Sequence, residues 1–130
     1  MFDREIAEER ISQIILACQT IIVRMETIKA PTDFEREDQS RLLLDGICMM
    51  LITISENLKR IDKSLGAEFL LAHPEIEWRK IKGMRDRISH DYFGLDFEAT
   101  FYAARDGVPD LLSTCRRILI EVTDQRDSIN

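Results

Sequence analysis

Only 5 glycines and 3 prolines punctuate the 130 residues. That is too few turn signals for a many-stranded β fold, and it favours long helices. The three cysteines, Cys18, Cys48 and Cys115, form no CxxC pair, neighbour no histidine and lie in apolar segments. They read as reduced core thiols, which argues against a zinc ribbon or a disulfide framework. No cluster of acidic or His/Cys ligands occurs at metal spacing, so no metal and no cofactor is expected. The densest apolar run, Ile47 to Ile54, falls well short of the roughly 18 residues a membrane span needs. The opening residues Asp3, Arg4, Glu5, Glu8, Glu9 and Arg10 are charged where a secretory leader would be basic and then apolar. A soluble, cytoplasmic protein with no membrane partner is the expectation. Positive charge is not in surplus either: 18 Lys+Arg against 24 Asp+Glu leave a net charge of −6. Any nucleic acid must therefore be met by a local basic patch or a complementary dimer cleft.

What the chain does have is helical periodicity. Charged residues make up 32% and hydrophobic ones 45%, the balance of a globular domain. One domain over residues 1–130 is expected, with its core at about 3–123 and a frayed tail at 124–130. From about Asp3 to Lys29, Ile11, Ile14, Ile15, Cys18, Ile21, Ile22, Met25 and Ile28 recur at helical spacing, and Pro31 breaks the run. A second helix, about Asp38 to Lys63, is apolar almost all round near Ile47–Ile54. It must be either the central helix of a bundle or one shared with a partner subunit. Ser64-Leu65-Gly66 ends it, and Ala67 to Ala72 allows a short extra turn. A third helix from about Ile76 carries Trp78, Ile81, Met84 and Ile88 and stops near Ser89 to Asp91. Asp96 caps a fourth segment through about Arg105. Asp106-Gly107-Val108-Pro109 then starts a last helix with Leu111, Leu112, Cys115, Ile118, Leu119 and Val122 on its stripe. The fold class expected is all-α, an up-and-down four-helix-type bundle with an additional short helix.

Chemistry concentrates in Arg85-Asp86-Arg87-Ile88-Ser89-His90-Asp91-Tyr92. An arginine offsets phosphate charge at any physiological pH, and a histidine moves a proton near pH 7. The pair suggests phosphodiester chemistry, and RNA in particular, whose 2′-hydroxyl is a built-in nucleophile. On a helical wheel Arg85 falls inside the apolar arc of Trp78, Ile81, Met84 and Ile88, where a charge is costly unless paired or lining a cleft. His90 lies roughly 140° round from Arg85, so the two converge only if the helix unwinds near Ser89 or if two subunits share one cleft. Lys80, Lys82 and Arg87 would then add positive charge to that groove. Residue types alone favour a blander alternative: Arg85 pairs with Glu56 of the second helix and His90 caps a helix end.

The spacing Arg85-X4-His90-X-Tyr92 resembles the Arg-X4-His-X-Tyr motif of the HepT-like branch of the HEPN superfamily. The whole block from His73 to Asp96 is similar to that family's, as is Val108-Pro109-Asp110-Leu111. The resemblance implies a helical bundle that dimerises and gathers both motifs into one cleft. It also implies a metal-independent endoribonuclease toxin whose antitoxin is an MntA-like nucleotidyltransferase that adds AMP to the motif tyrosine. Carried over, Arg85 stabilises the phosphate, His90 exchanges the proton, Tyr92 positions RNA and is the modification site, and Asp86 matches the polar position after the arginine. Where many relatives carry Gly-Glu-Ala, this chain has Ser55-Glu56-Asn57; Glu56 is kept and its flanks are changed. Two non-catalytic readings stand beside this one: a nucleotide-binding or scaffold partner of the nucleotidyltransferase, and a plain helical dimerisation domain.

Overall fold

A computed structural model describes the backbone of residues 2–129 and the side chains of residues 3–124. Every regular element among them is helical. The architecture is an all-α bundle of three long helices closed on the fourth side by short ones. The long helices are α1 (Phe2–Arg24), α2 (Asp38–Leu65) and α7 (Val108–Ile129). Between α2 and α7 come α3 (Glu68–Leu71), α4 (Trp78–Lys82), α5 (Met84–His90) and α6 (Phe97–Tyr102).

The core arises from heptad-like spacing on the long helices. On α1 and the turn after it, Ala7, Ile11, Ile14, Cys18, Ile21, Met25 and Ile28 are buried; on α2, Leu44, Ile47, Leu51, Ile54, Leu58 and Ile61 are. Such stripes pack knobs into holes when helices run side by side. Arg10 reaches Asn57 at 3.3 Å and Arg24 lies against Gly46, so α1 and α2 are antiparallel. Thr123 Oγ1 donates to Glu8 at 3.4 Å, which makes α7 antiparallel to α1 as well. The helix sandwiched between two long neighbours is therefore α1. α2, expected as either the central helix or a shared one, is covered by α1, α3, α4, α5 and the Pro31–Glu35 turn but keeps one face open. Its Leu42 and Met49 are 67% and 56% exposed.

Three element boundaries differ from expectation. The first helix ends at Arg24, and a 3-10 turn at Met25–Thr27 completes it ahead of Pro31, which opens another 3-10 turn, Pro31–Glu35. The third helix is not continuous: it breaks at Gly83 into α4 and α5. Ser55 Oγ on α2 donates to the Lys82 carbonyl at 2.6 Å, satisfying a group the interrupted helix leaves free. The fourth segment does not stop before the last helix. A π turn, Ala103–Gly107, joins α6 to α7 without a gap, and Pro109 sits in the first turn of α7 as expected. The short extra turn is α3, and α2 closes at Gly66, whose φ of 91° suits glycine alone. Within the tail expected to fray, 124–130, the described backbone is helical through Ile129, and beyond Asp124 the side chains lie outside the described residues.

Ile14→Ala removes a fully buried side chain at the α1 interfaces and should cost about 2–5 kcal/mol in urea unfolding. Gly66→Ala forces a β-carbon into a left-handed conformation and should cost about 1 kcal/mol or more in the same measurement.

Candidate active site

The motif residues sit on α5 and on the 3-10 turn Tyr92–Gly94 just after it. A seven-residue helix is marginal alone, and two polar clasps hold this one to α2. Arg85 Nε meets Glu56 Oε1 at 2.5 Å, and the Tyr92 hydroxyl donates to Asp45 Oδ1. Asp45 and Glu56 are eleven residues apart, three turns within about 20°, so both face the same side of α2. The exposed Leu42 and Met49 share that side, and His90 lies in the chain between the clasps.

Arg85 does not occupy an apolar arc. The break at Gly83 resets the helical phase between Trp78–Ile81 and Ile88, and the guanidinium is half-exposed against Glu56. Asp86 is exposed and stands 3.7 Å from Arg85. His90 is exposed at the last residue of α5 and has no hydrogen-bond or ionic partner among the described residues. The helix does not unwind at Ser89, so within one chain Arg85 and His90 point to different sides. Of the basic residues, Lys82 is tied to Asp62 at 2.6 Å and Arg87 Nη2 donates to the Lys80 carbonyl at 2.8 Å. Lys80 itself is exposed. Among the three motif residues only Tyr92 is half-buried. Burial pushes its phenol above the usual range, the bond to Asp45 and the adjacent Cys48 push it further, and Arg41 opposes them.

The altered flanks of Glu56 have visible work. Ser55 holds the α4–α5 break, while Asn57 accepts from Arg10 and donates to the Thr53 carbonyl at 3.0 Å. Ser55 and Asn57 are buried, and Glu56 between them is turned outward to Arg85.

Comparison with known proteins fits this arrangement. The family described as Ribonuclease HepT-like matches residues 9–118. The chain belongs to the HepT-like ribonuclease family. Among curated relatives, "Putative RNase TTE0752" of Caldanaerobacter subterraneus subsp. tengcongensis is 28% identical over 109 residues, 84% of this chain and 90% of the relative. "Putative RNase MJ0125" of Methanocaldococcus jannaschii is 24% identical over 93 residues, 72% of this chain and 77% of the relative. "Probable ribonuclease HepT" of Thermococcus cleftensis is 33% identical over 61 residues, 47% of this chain and 56% of the relative. No solved structure gives a significant match.

In this HepT-like chain a sizeable groove lies elsewhere. A groove of about 840 Å³ lies on the other side of α5, floored by Leu51, Ile54, Met84, Ile88 and Leu111. Six acids, among them Glu77, Asp91, Asp96 and Asp110, outnumber Lys80 and Arg87 on its lining, a poor setting for a phosphate backbone. Arg85, His90 and Tyr92 do not line it. No helix among the described residues is long and apolar enough to cross a membrane.

Sequence reading overlooked Asp45 and Asp62. Their spacing on α2 is plain, but the placement against α2 of α4, which brings Lys82 to Asp62, and of the turn after α5, which brings Tyr92 to Asp45, is not.

The three thiols give a direct check on burial, which raises Cys18 and Cys115 to about 12 and Cys48 to about 11. Against a free thiol near 8.5, the thiolate at pH 8 is depleted by roughly 10²-fold or more. Ellman's reagent should react that much more slowly with the native protein than with the urea-unfolded chain. The unfolded state ionises first, so these thiols support folding below about pH 8.5 and withdraw that support as pH rises toward 11–12.

Proposed function

We propose that this protein is a metal-independent endoribonuclease toxin of a HEPN/MNT toxin–antitoxin pair, working as a homodimer and silenced by an MntA-like nucleotidyltransferase that adds AMP to Tyr92. The observation that carries the reading is the exposure of Arg85 and His90 on one short helix, clasped to α2 beside its uncovered Leu42 and Met49. Two such faces brought together would cover the apolar stripe. They would also collect two arginines and two histidines around one RNA strand, which a single subunit does not do. Membership of the HepT-like family supports the same choice.

In this mechanism His90 takes the proton of a ribose 2′-hydroxyl as that oxygen attacks the neighbouring phosphorus. The 5′-oxygen leaves with a proton from the partner subunit's His90, giving a 2′,3′-cyclic phosphate and a 5′-hydroxyl end. Arg85 offsets the charge that builds on the phosphoryl oxygens. Arg85 meets Glu56 through Nε and stands 3.7 Å from Asp86 through Nη1; with five N–H donors the guanidinium has others to offer the phosphate. Lys80 and Arg87 line the groove on the other side of α5, so they add positive charge to a strand that wraps around that helix.

A non-catalytic scaffold partner of the nucleotidyltransferase is the rival, and the existing neutralisation of Arg85 by Glu56 favours it. Cleavage of a fluorogenic RNA separates the two. His90→Ala should lower the rate by about 10²–10⁴-fold, with EDTA making no difference. An unchanged rate in His90→Ala, or abolition by EDTA, would reject the nuclease mechanism. Met49→Asp should halve the mass seen by light scattering and lower cleavage at least about tenfold. A parent protein that is already monomeric and active would remove the shared-cleft argument.

A further inference from the structure

Three polar or ionisable side chains surround the Tyr92 hydroxyl. Asp45 Oδ1 accepts its proton in a hydrogen bond, and the Cys48 thiol lies within reach of the same oxygen. Arg41, one turn before Asp45 on α2, rests over the Phe97 ring with its guanidinium carbon 5.2 Å from the centroid. It is near enough to Tyr92 to act on it electrostatically. The second tyrosine, Tyr102, has a different setting: its ring meets Phe101 and Arg105, and no carboxylate is bonded to its hydroxyl among the described residues. One phenol in this chain is paired with a base, and the other is not.

We infer that Asp45 is the general base that activates Tyr92 toward a nucleotide phosphorus, so that this chain supplies part of the machinery for its own modification. The inference rests on the reading of Tyr92 as a nucleotidylation site. With a nucleoside triphosphate presented by the transferase, Tyr92 Oη attacks the α-phosphorus. The Oη–P bond forms, and the bond from that phosphorus to the pyrophosphate oxygen breaks, its electron pair leaving with pyrophosphate. The phenolic proton passes to Asp45 Oδ1 and then to water. The charge of Arg41, which already reaches Tyr92, favours an anionic phosphate there.

The carboxylate does not make a standing phenolate. Burial and the adjacent negative charge both hold the proton on Tyr92, so the nucleophile is uncovered only as the bond forms. This sets it apart from an unassisted phenol, which reacts through phenolate and therefore speeds up tenfold per pH unit below about 10. Tyr92 should instead react at a nearly constant rate from about pH 7 to 9.

The test needs no transferase. The purified full-length chain is treated with adenosine 5′-phosphorimidazolide, an activated AMP whose leaving group is imidazole, and adducts are located by peptide mass mapping. Tyr92 is expected to label faster than Tyr102, with the flat pH profile once every rate is divided by the fraction of reagent protonated on its imidazole, the form from which imidazole departs as a neutral molecule. Asp45→Asn keeps a hydrogen-bond acceptor in the same place but removes the base. It should lower Tyr92 labelling by about 10²-fold at pH 7, make the remainder climb with pH, and leave Tyr102 labelling unchanged. Asp45→Glu should recover part of the loss. Equal labelling of the two tyrosines in the parent, or equal Tyr92 rates and profiles in parent and Asp45→Asn, would overturn the inference. Failure of the underlying reading has its own signature: a parent chain left unmodified after incubation with the nucleotidyltransferase and ATP, whatever the imidazolide does.

Discussion

A helix of seven residues has too few internal hydrogen bonds to persist in water, yet α5 carries both side chains on which the chemistry depends. Its position is set from outside. Ile88 anchors one face in the core. Glu56 grips Arg85 at the start, and Asp45 grips Tyr92 just beyond the end. The two carboxylates work as a pair because α2 is long, regular and well buried along its other sides, so their three-turn separation is fixed. Lose the regularity of α2 and the motif has no frame.

Much of this frame was readable from residue order. The stripes on α1, α2 and α7 predict their helices because burial at three- and four-residue intervals has no strand equivalent. Gly66 as a terminus and Pro109 in a first turn reflect backbone preference. The break at Gly83 was hidden, since Trp78, Ile81 and Ile88 keep helical spacing straight through it. Gly83 marks the break, and the Ser55 hydroxyl of another helix takes up the Lys82 carbonyl there, a partner that no local pattern reports. The misplaced Arg85 is a result of the same event.

The site was legible to a different degree. Arg85, His90 and Tyr92 were singled out by chemistry and by family resemblance, and the Arg85–Glu56 pair was anticipated. Asp45 was not, because an acid on an exposed helix face is unremarkable until a partner is opposite it. The basic residues also proved less uniform than a charge count suggests: Lys82 is bound to Asp62 and Arg87 folds back on Lys80, while Lys80 alone stands open.

The π turn at Ala103–Gly107 bears on how the bundle is closed at its far end. Buried positions continue at three- and four-residue steps from Phe101 through Ala104, Val108 and Leu111 to Cys115, as if one rod ran the whole length. A wider coil inserted midway rotates α7 about the common axis relative to α6. The single stripe is thereby shared between two neighbours, with α6 lying on the Pro31–Glu35 turn while α7 lies along α1. One continuous apolar seam is thus divided between the lid of the bundle and its wall without any loop to join them.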